Sequence, residues 1–202
     1  MKPVMRWALG MGLAAMAATG AVAQGQLQGS DAEAFLAAIR DQNGDKVNEI
    51  KNRLGATVMN YRGFSGETPL TVAMANRNIS YVGFLISNDA RPDFPDKRGD
   101  TALIIAARTG FAEGVERMLG AHASIDAANR QGETALIVAV KGRHARIVRR
   151  LLEKGASPDK TDIAAGYSAR DYARRDSRNP ELLRLIDTVK PVKKAVSGPV
   201  IK

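Results

Sequence analysis

Gly66-Glu67-Thr68-Pro69-Leu70 returns as Gly99-Asp100-Thr101-Ala102-Leu103 and again as Gly132-Glu133-Thr134-Ala135-Leu136. A looser copy follows at Gly166-Tyr167-Ser168-Ala169-Arg170, so the four glycines stand 33, 33 and 34 residues apart. A fixed period of this length implies stacked supersecondary units, each packed only on its neighbours, rather than one globular core. It also favours an extended binding surface over a catalytic pocket.

The agreement continues past the glycines. An Ala stands five residues after each Thr, at Ala73, Ala106 and Ala139, and a Val fourteen after it, at Val82, Val115 and Val148. Apolar pairs follow at Leu85-Ile86, Met118-Leu119 and Leu151-Leu152, and a turn then falls at Asp89-Ala90, His122-Ala123 and Gly155-Ala156. Each unit therefore reads as turn, short helix, turn, longer helix, turn. The small Ala lets first helices approach closely, and the i, i+3, i+4 stripe of the second helix faces the next repeat. The ends are irregular, as capping repeats should be. Phe35 to Ile39, then Val47, Ile50 and Leu54, read as an opening helix pair with Gly44-Asp45 as its turn. Tyr167 to Ala173 opens a last unit, and Pro180 to Ile186 is its second helix, with Pro at a first-turn position.

Gly-x-Thr-Pro-Leu-x-x-Ala followed by an apolar second helix and Gly-Ala resembles the ankyrin repeat family. The resemblance covers residues 31–189 and implies an all-α ankyrin repeat solenoid of about five helix-turn-helix units joined by short β-hairpin-like turns. The repeats fall near 31–65, 66–98, 99–131, 132–165 and 166–189. The sequence departs from the family pattern in places. The family's His after Thr-Pro-Leu is replaced by Thr71, Ile104 and Ile137, and the Pro is kept only at Pro69. Asp89 and His122 stand where the family ends its second helix with Gly, so each is expected in left-handed backbone.

The resemblance also implies where a partner would lie, because hairpin tips and the exposed side of the first helices line a concave groove. Carried over position by position, the groove takes Phe64, Ser65, Glu67, Ala75 and Asn76 from the second repeat. It takes Lys97, Arg98, Asp100, Arg108 and Thr109 from the third, and Arg130, Gln131, Glu133 and Lys141 from the fourth. Phe64 either anchors an interface or folds back over the first repeat. The five cations Lys97, Arg98, Arg108, Arg130 and Lys141 suggest an acidic protein as partner.

The first 23 residues differ in kind. Lys2 and Arg6 precede an uncharged apolar run from Trp7 to Ala18, and Ala21-Val22-Ala23 supplies small residues before a cleavage point. These are the three parts of a secretory signal peptide, expected to be cut after Ala23. The stretch from Trp7 to Ala23 falls short of the ~20 residues of a spanning helix, though an uncleaved anchor is the alternative. A short linker at 24–30 would follow. The chain has no Cys, which excludes a lipid-modified cysteine and any disulfide framework. The expectation is a monomeric bacterial protein exported to the periplasm.

Charge is uneven. Residues 24–98 carry nine charges of each sign, whereas residues 99–202 carry 19 positive and 12 negative. An acidic partner or surface is one reading of that excess, and solubility is the other. Arg143, Arg146, Arg149 and Arg150, with Lys154, would decorate the outer face of one second helix, opposite buried Ile147, Val148, Leu151 and Leu152. The tail from Lys190 to Lys202 is basic, lacks apolar period and is expected to be disordered. It could rest on an anionic membrane or envelope polymer. Nucleic acid is disfavoured by the export signal and by too few aromatics for base stacking.

Nothing in the chain points to catalysis or to a cofactor. The two histidines, His122 and His144, both sit at turn positions of the repeat, and every Gly-x-Thr recurs with the period rather than forming a phosphate loop. No carboxylate pair has a spacing that suggests acid–base work. Asp93 and Asp96 could be read as metal ligands, but Asp96 before Lys97-Arg98-Gly99 fits better as an acceptor of backbone N–H groups in a turn.

Overall fold

The computed structural model describes residues 29–190. The expected signal peptide and the tail from residue 191 onward lie outside the described residues. The chain is already helical at residues 29 and 30, two positions that the sequence assigns to the linker.

Among the described residues five helix pairs follow one another. They are α1 (29–40) with α2 (Gly44–Leu54), α3 (Pro69–Ala75) with α4 (Ile79–Ser87), and α5 (Ala102–Arg108) with α6 (Ala112–Gly120). The last two are α7 (Ala135–Lys141) with α8 (Ala145–Glu153), and α9 (Ala169–Arg175) with α10 (Pro180–Thr188). The first helix of each of the last four pairs has seven residues and the second nine, which is the short–long alternation that the sequence implies. A 3-10 turn over Gly55–Asn60 extends the first pair and was not foreseen. The turn between α1 and α2 also lies earlier than expected. It occupies residues 41–43, with Gln42 at φ 58 and the Asn43 side chain accepting the Lys46 N–H, so Gly44 and Asp45 open the helix instead.

The recurring Thr has a local cause. Thr68, Thr101, Thr134 and Ser168 are the N-caps of α3, α5, α7 and α9, and each hydroxyl accepts a backbone N–H three residues on. Such a cap supplies about 1 kcal/mol to a helix too short to persist alone. At the far end of the pairs, Asp89 (φ 66) and His122 (φ 58) do adopt the left-handed backbone expected of them, beside Gly155 at φ 91.

First helices pack on first helices and second helices on second helices, giving two layers. The inner layer is the more buried. In α5 every residue from Ala102 to Ala107 is buried, and in α7 every residue from Ala135 to Val140. Ala73, Ala106 and Ala139 are fully buried where neighbouring first helices meet. The second helices bury only a stripe, Val115 and Met118 in α6 and Ile147, Val148, Leu151 and Leu152 in α8. A leucine as enclosed as Leu103 or Leu136 contributes about 1.5–3 kcal/mol by its removal from water. Among the described residues there is no strand, only the isolated bridges Ala128–Thr134 and Thr161–Ser168 at the hairpins.

Candidate functional site

Between one pair and the next the chain makes a hairpin that projects beyond the first helices. In each, a bond between main-chain groups closes the base: Gly63 N–H to Glu67 O, Asp96 to Asp100, Asn129 to Glu133, and Asp162 to Tyr167. A side-chain acceptor then fixes the tip. Asp96 Oδ1 accepts from Arg98 N (2.7 Å) and Asp100 N (2.9 Å), which is the turn role expected of it. Asn129 Oδ1 does the same for Gln131 and Glu133, and Asp162 Oδ1 for Ala165 and Tyr167. The second repeat has Gly63 at this position, and Glu33 reaches across from α1 to accept the Phe64 N–H instead.

Consecutive hairpins are stitched together. Lys97 N–H donates to Gly66 O at 2.8 Å, Arg130 to Arg98 O at 3.0 Å, and Ile163 to Gln131 O at 2.8 Å. This explains the invariant Gly of the repeat twice over. Gly66 and Gly99 have φ of 86° and 81°, and a Cβ would meet Lys97 Cβ at 2.4 Å or Arg130 N at 2.8 Å.

The cations predicted to line the groove divide into two rows. Arg108 and Lys141, on the first helices, are not free. Arg108 makes a two-pronged bond to Asp100, Nη1 to Oδ2 at 2.6 Å and Nη2 to Oδ1 at 3.0 Å, and lies 3.7 Å from Glu133. Lys141 Nζ contacts Glu133 Oε1 at 2.5 Å. Asn129 joins the two pairs, its Nδ2 donating to Asp100 Oδ1 and to Glu133 Oε2. Arg98 adds a contact of 3.1 Å to Asp100. Asp100 is 1% exposed, so it belongs under the groove floor and not on its surface, contrary to expectation. Burial pushes its carboxyl up, but the bonds from Arg108 and Asn129 and the charges of Arg108 and Arg98 outweigh that and hold it below its ordinary value. Glu133 is lowered in the same way: burial raises it, and Lys141, Asn129 and Arg108 bring it down. The hydrogen bond to Asp100 raises Arg108 in turn.

The acid and its cation stand eight residues apart in both repeats, 100 with 108 and 133 with 141. That recurrence was the available signal for pairing. The flanking repeats vary the theme. Position 75 is Ala, and Glu67 takes Arg40 of the first repeat at 2.5 Å. In the last repeat Tyr167 stands in place of the carboxylate, and Arg175 stacks over its ring at 4.4 Å.

The tip row is different. Lys97 and Arg130 are exposed and have no ion pair among the described residues. Phe64, at the equivalent position, is 85% exposed, which overturns the alternative that it folds back over the first repeat. Ile163 is 76% exposed and completes the row, 33 residues after Arg130. Ile163 has no counterpart among the expected groove residues, although that spacing locates it in the sequence. Gln131 and Ser65 are exposed beside the tips, and Ala75 and Asn76 lie on the exposed edge of the second repeat.

Other candidates find structural roles. Asp93 accepts from the Ser124 N–H and hydroxyl, and no cluster of three metal-binding side chains exists among the described residues. His144 is the N-cap residue of α8, with its ring against Gly110 and Gly142. Of the outer basic cluster, Arg143 pairs with Asp176 at 2.7 Å and Arg150 with Glu116 at 2.6 Å, while Arg146 and Arg149 are exposed.

The family model described as ankyrin repeats, with three copies, matches residues 23–129 and again residues 82–162. The two matches take in all three registered copies of the repeat and stop one residue short of Ile163.

Proposed function

The chain belongs to the ankyrin repeat family, whose arrays generally serve as scaffolds for other proteins and typically perform no catalysis, and from that premise we propose a non-enzymatic periplasmic scaffold that holds an acidic protein along its hairpin tips. One observation carries the reading. Lys97 and Arg130 stand at adjacent tips, exposed and unpaired among the described residues, while the neighbouring first-helix cations are consumed by internal partners. An acidic surface meeting this row would gain charge complementarity without first breaking a salt bridge. Exposed Phe64 at the same rim offers an apolar anchor. The periplasmic location rests on the charged start, the short apolar run and Ala21-Val22-Ala23.

The test is capture of acidic proteins from a periplasmic extract by the purified chain. Lys97→Glu combined with Arg130→Glu should abolish capture and leave the circular dichroism spectrum unchanged. Ending the chain at Val189 should change capture little. Capture that survives the double reversal and disappears with the tail would replace the groove by docking of the basic C-terminal half on an anionic surface, a mode that collapses with modest salt. Amino-terminal sequencing of the protein from fractionated cells checks the location. A start at Gln24 in the soluble envelope fraction is expected, and an intact Met1 in the membrane pellet would refute it.

A further inference from the structure

The tip row has a definite order, Phe64, Lys97, Arg130 and Ile163, with an apolar residue at each end and two cations between. Its spacing is fixed by the scaffold. Each hairpin bonds to the next through one main-chain N–H, and the helix pairs beneath are in packing contact, which sets neighbouring repeats ~10 Å apart. A partner segment that touches all four tips must therefore present one side chain every ~10 Å on a single face.

Regular backbones differ in whether they can do this. A β-strand rises about 3.3 Å per residue but alternates faces, so its same-face side chains recur at ~6.6 Å and fall out of step after the first tip. An α-helix recurs at i+7, close to ~10.5 Å, but it docks by laying an apolar stripe into an apolar groove. The middle of this row is Lys97 and Arg130, with buried carboxylates behind them, so that stripe would stay uncovered. A polyproline II segment has three residues per turn and rises about 3.1 Å per residue, which returns every third side chain to the same face at ~9.3 Å.

We propose that the tip row reads an acidic polyproline II segment of about ten residues, with an apolar residue at each end and acidic residues at the fourth and seventh positions. This deepens the groove reading above and rests on it. Phe64 and Ile163 take the apolar ends, and Lys97 and Arg130 take the two carboxylates. The segment's ordering cost is small because polyproline II is already the preferred state of such a chain. The tips are fixed as well. Glu33 holds the Phe64 N–H, and Asn129 and Asp162 hold the turns that carry Arg130 and Ile163.

The experiment is fluorescence anisotropy with the full chain and three labelled ten-residue peptides. The first has Leu at both ends, Asp at the fourth and seventh positions and Pro elsewhere. The second has the same composition with both Asp moved to adjacent positions. The third replaces both Asp by Asn. The first should bind at least about tenfold more tightly than either of the others, since wrong register leaves one cation unmatched. Lys97→Glu with Arg130→Glu should weaken it by about tenfold or more, and Phe64→Ala by about fivefold, without changing the melting temperature. Equal binding of the first two peptides, both lost on double reversal, would overturn the register and leave the acidic groove standing. Failure of every acidic peptide, with no effect of the reversal on capture of acidic proteins, would overturn both. Uptake by phosphatidylglycerol vesicles that depends on Lys97 and Arg130, with no peptide bound, would reassign the row to a membrane surface. Tighter binding of a helical peptide with Asp seven residues apart would overturn the polyproline II form.

Discussion

Lys97 and Arg108 face the same groove, yet the fold treats them in opposite ways. Arg108 is locked to Asp100, a carboxylate with 1% exposure, while Lys97 extends from a hairpin tip with no ion pair among the described residues. The contrast recurs one repeat on, with Lys141 on Glu133 and Arg130 at its tip without an ion pair among the described residues. The inner row is a structural clamp between repeats, and the tip row is what remains to meet another molecule. Net charge alone cannot separate the two.

The hardest test of that division is Arg108→Glu. It would place a third carboxylate beside Asp100 and Glu133. Asp100 is buried but the Arg108 side chain is 35% exposed, so the cost should fall somewhat below that of breaking a fully buried pair, at about 2–4 kcal/mol. That matches the effect of opening a core cavity, since Leu103→Ala and Leu136→Ala should each cost about 2–5 kcal/mol. A urea titration should rank all three together. If Arg108→Glu fell among neutral surface changes, the inner row would not be a clamp.

Asn129→Asp sharpens the same point with a change of one atom. The other described turns of this kind carry Asp96 and Asp162, so Asp suits the turn itself. Asn129 also donates to Asp100 and Glu133, which a carboxylate cannot do. The substitution should cost about 1–3 kcal/mol, because it removes one donor from each acid and sets a third carboxylate against them, although Arg108 and Lys141 remain. The side chain of Asp96 donates no bond in the fold, so Asp96→Asn removes none of this kind and should cost less in the same titration.

Acid should dissolve the clamp and leave the tips indifferent. Asp100 and Glu133 are held below their ordinary values of 3.8 and 4.5. A group lowered in the folded state adds stability that is complete above its unfolded value and is lost as pH falls through the folded one. Stability should therefore hold above about pH 5 and decline below pH 4, and Arg108→Ala should flatten the decline. Tyr172 gives the opposite limb. Its bond to Asp162 and its burial push the phenol up to about 12, so that contribution is complete below 10.0 and disappears as pH climbs through the folded value. Melting temperatures taken across pH would show both limbs.

The fold was almost wholly legible because a 33-residue period leaves little freedom. The caps at Thr68, Thr101 and Thr134 and the left-handed Asp89 and His122 all follow from position within the repeat. The first pair was read less well. Its turn at 41–43 and the 3-10 segment after it have no equivalent copy to align with. Exposure along the groove was legible, but partnership was not. Arg108 and Arg130 look alike in sequence, and only the eight-residue offset from Asp100 distinguishes them. Asp100 lies deeper than the sequence suggests because Arg108 and, from the next hairpin, Asn129 close over it, whereas Glu67 at the equivalent position keeps a side chain 43% exposed.

The smallest expected effects lie on the tips. Lys97→Ala and Arg130→Ala should each change stability by no more than about 0.5 kcal/mol, as should Arg146→Ala on the outer face. Phe64→Ala should do the same despite the loss of an aromatic ring. That ring is 85% exposed, so its removal takes little apolar surface out of the fold. What holds the hairpin is the Phe64 N–H on Glu33 and the closing bond from Gly63 to Glu67, and both survive the substitution. Glu33→Ala is the informative control. It removes the acceptor of the Phe64 N–H and of the Tyr61 hydroxyl, so it should destabilise by about 1 kcal/mol while the side chain of Phe64 is untouched. If Phe64→Ala instead cost as much as Leu136→Ala in the same urea titration, Phe64 would belong to the core, and the separation of an inert tip row from a structural inner row would fail at its first member.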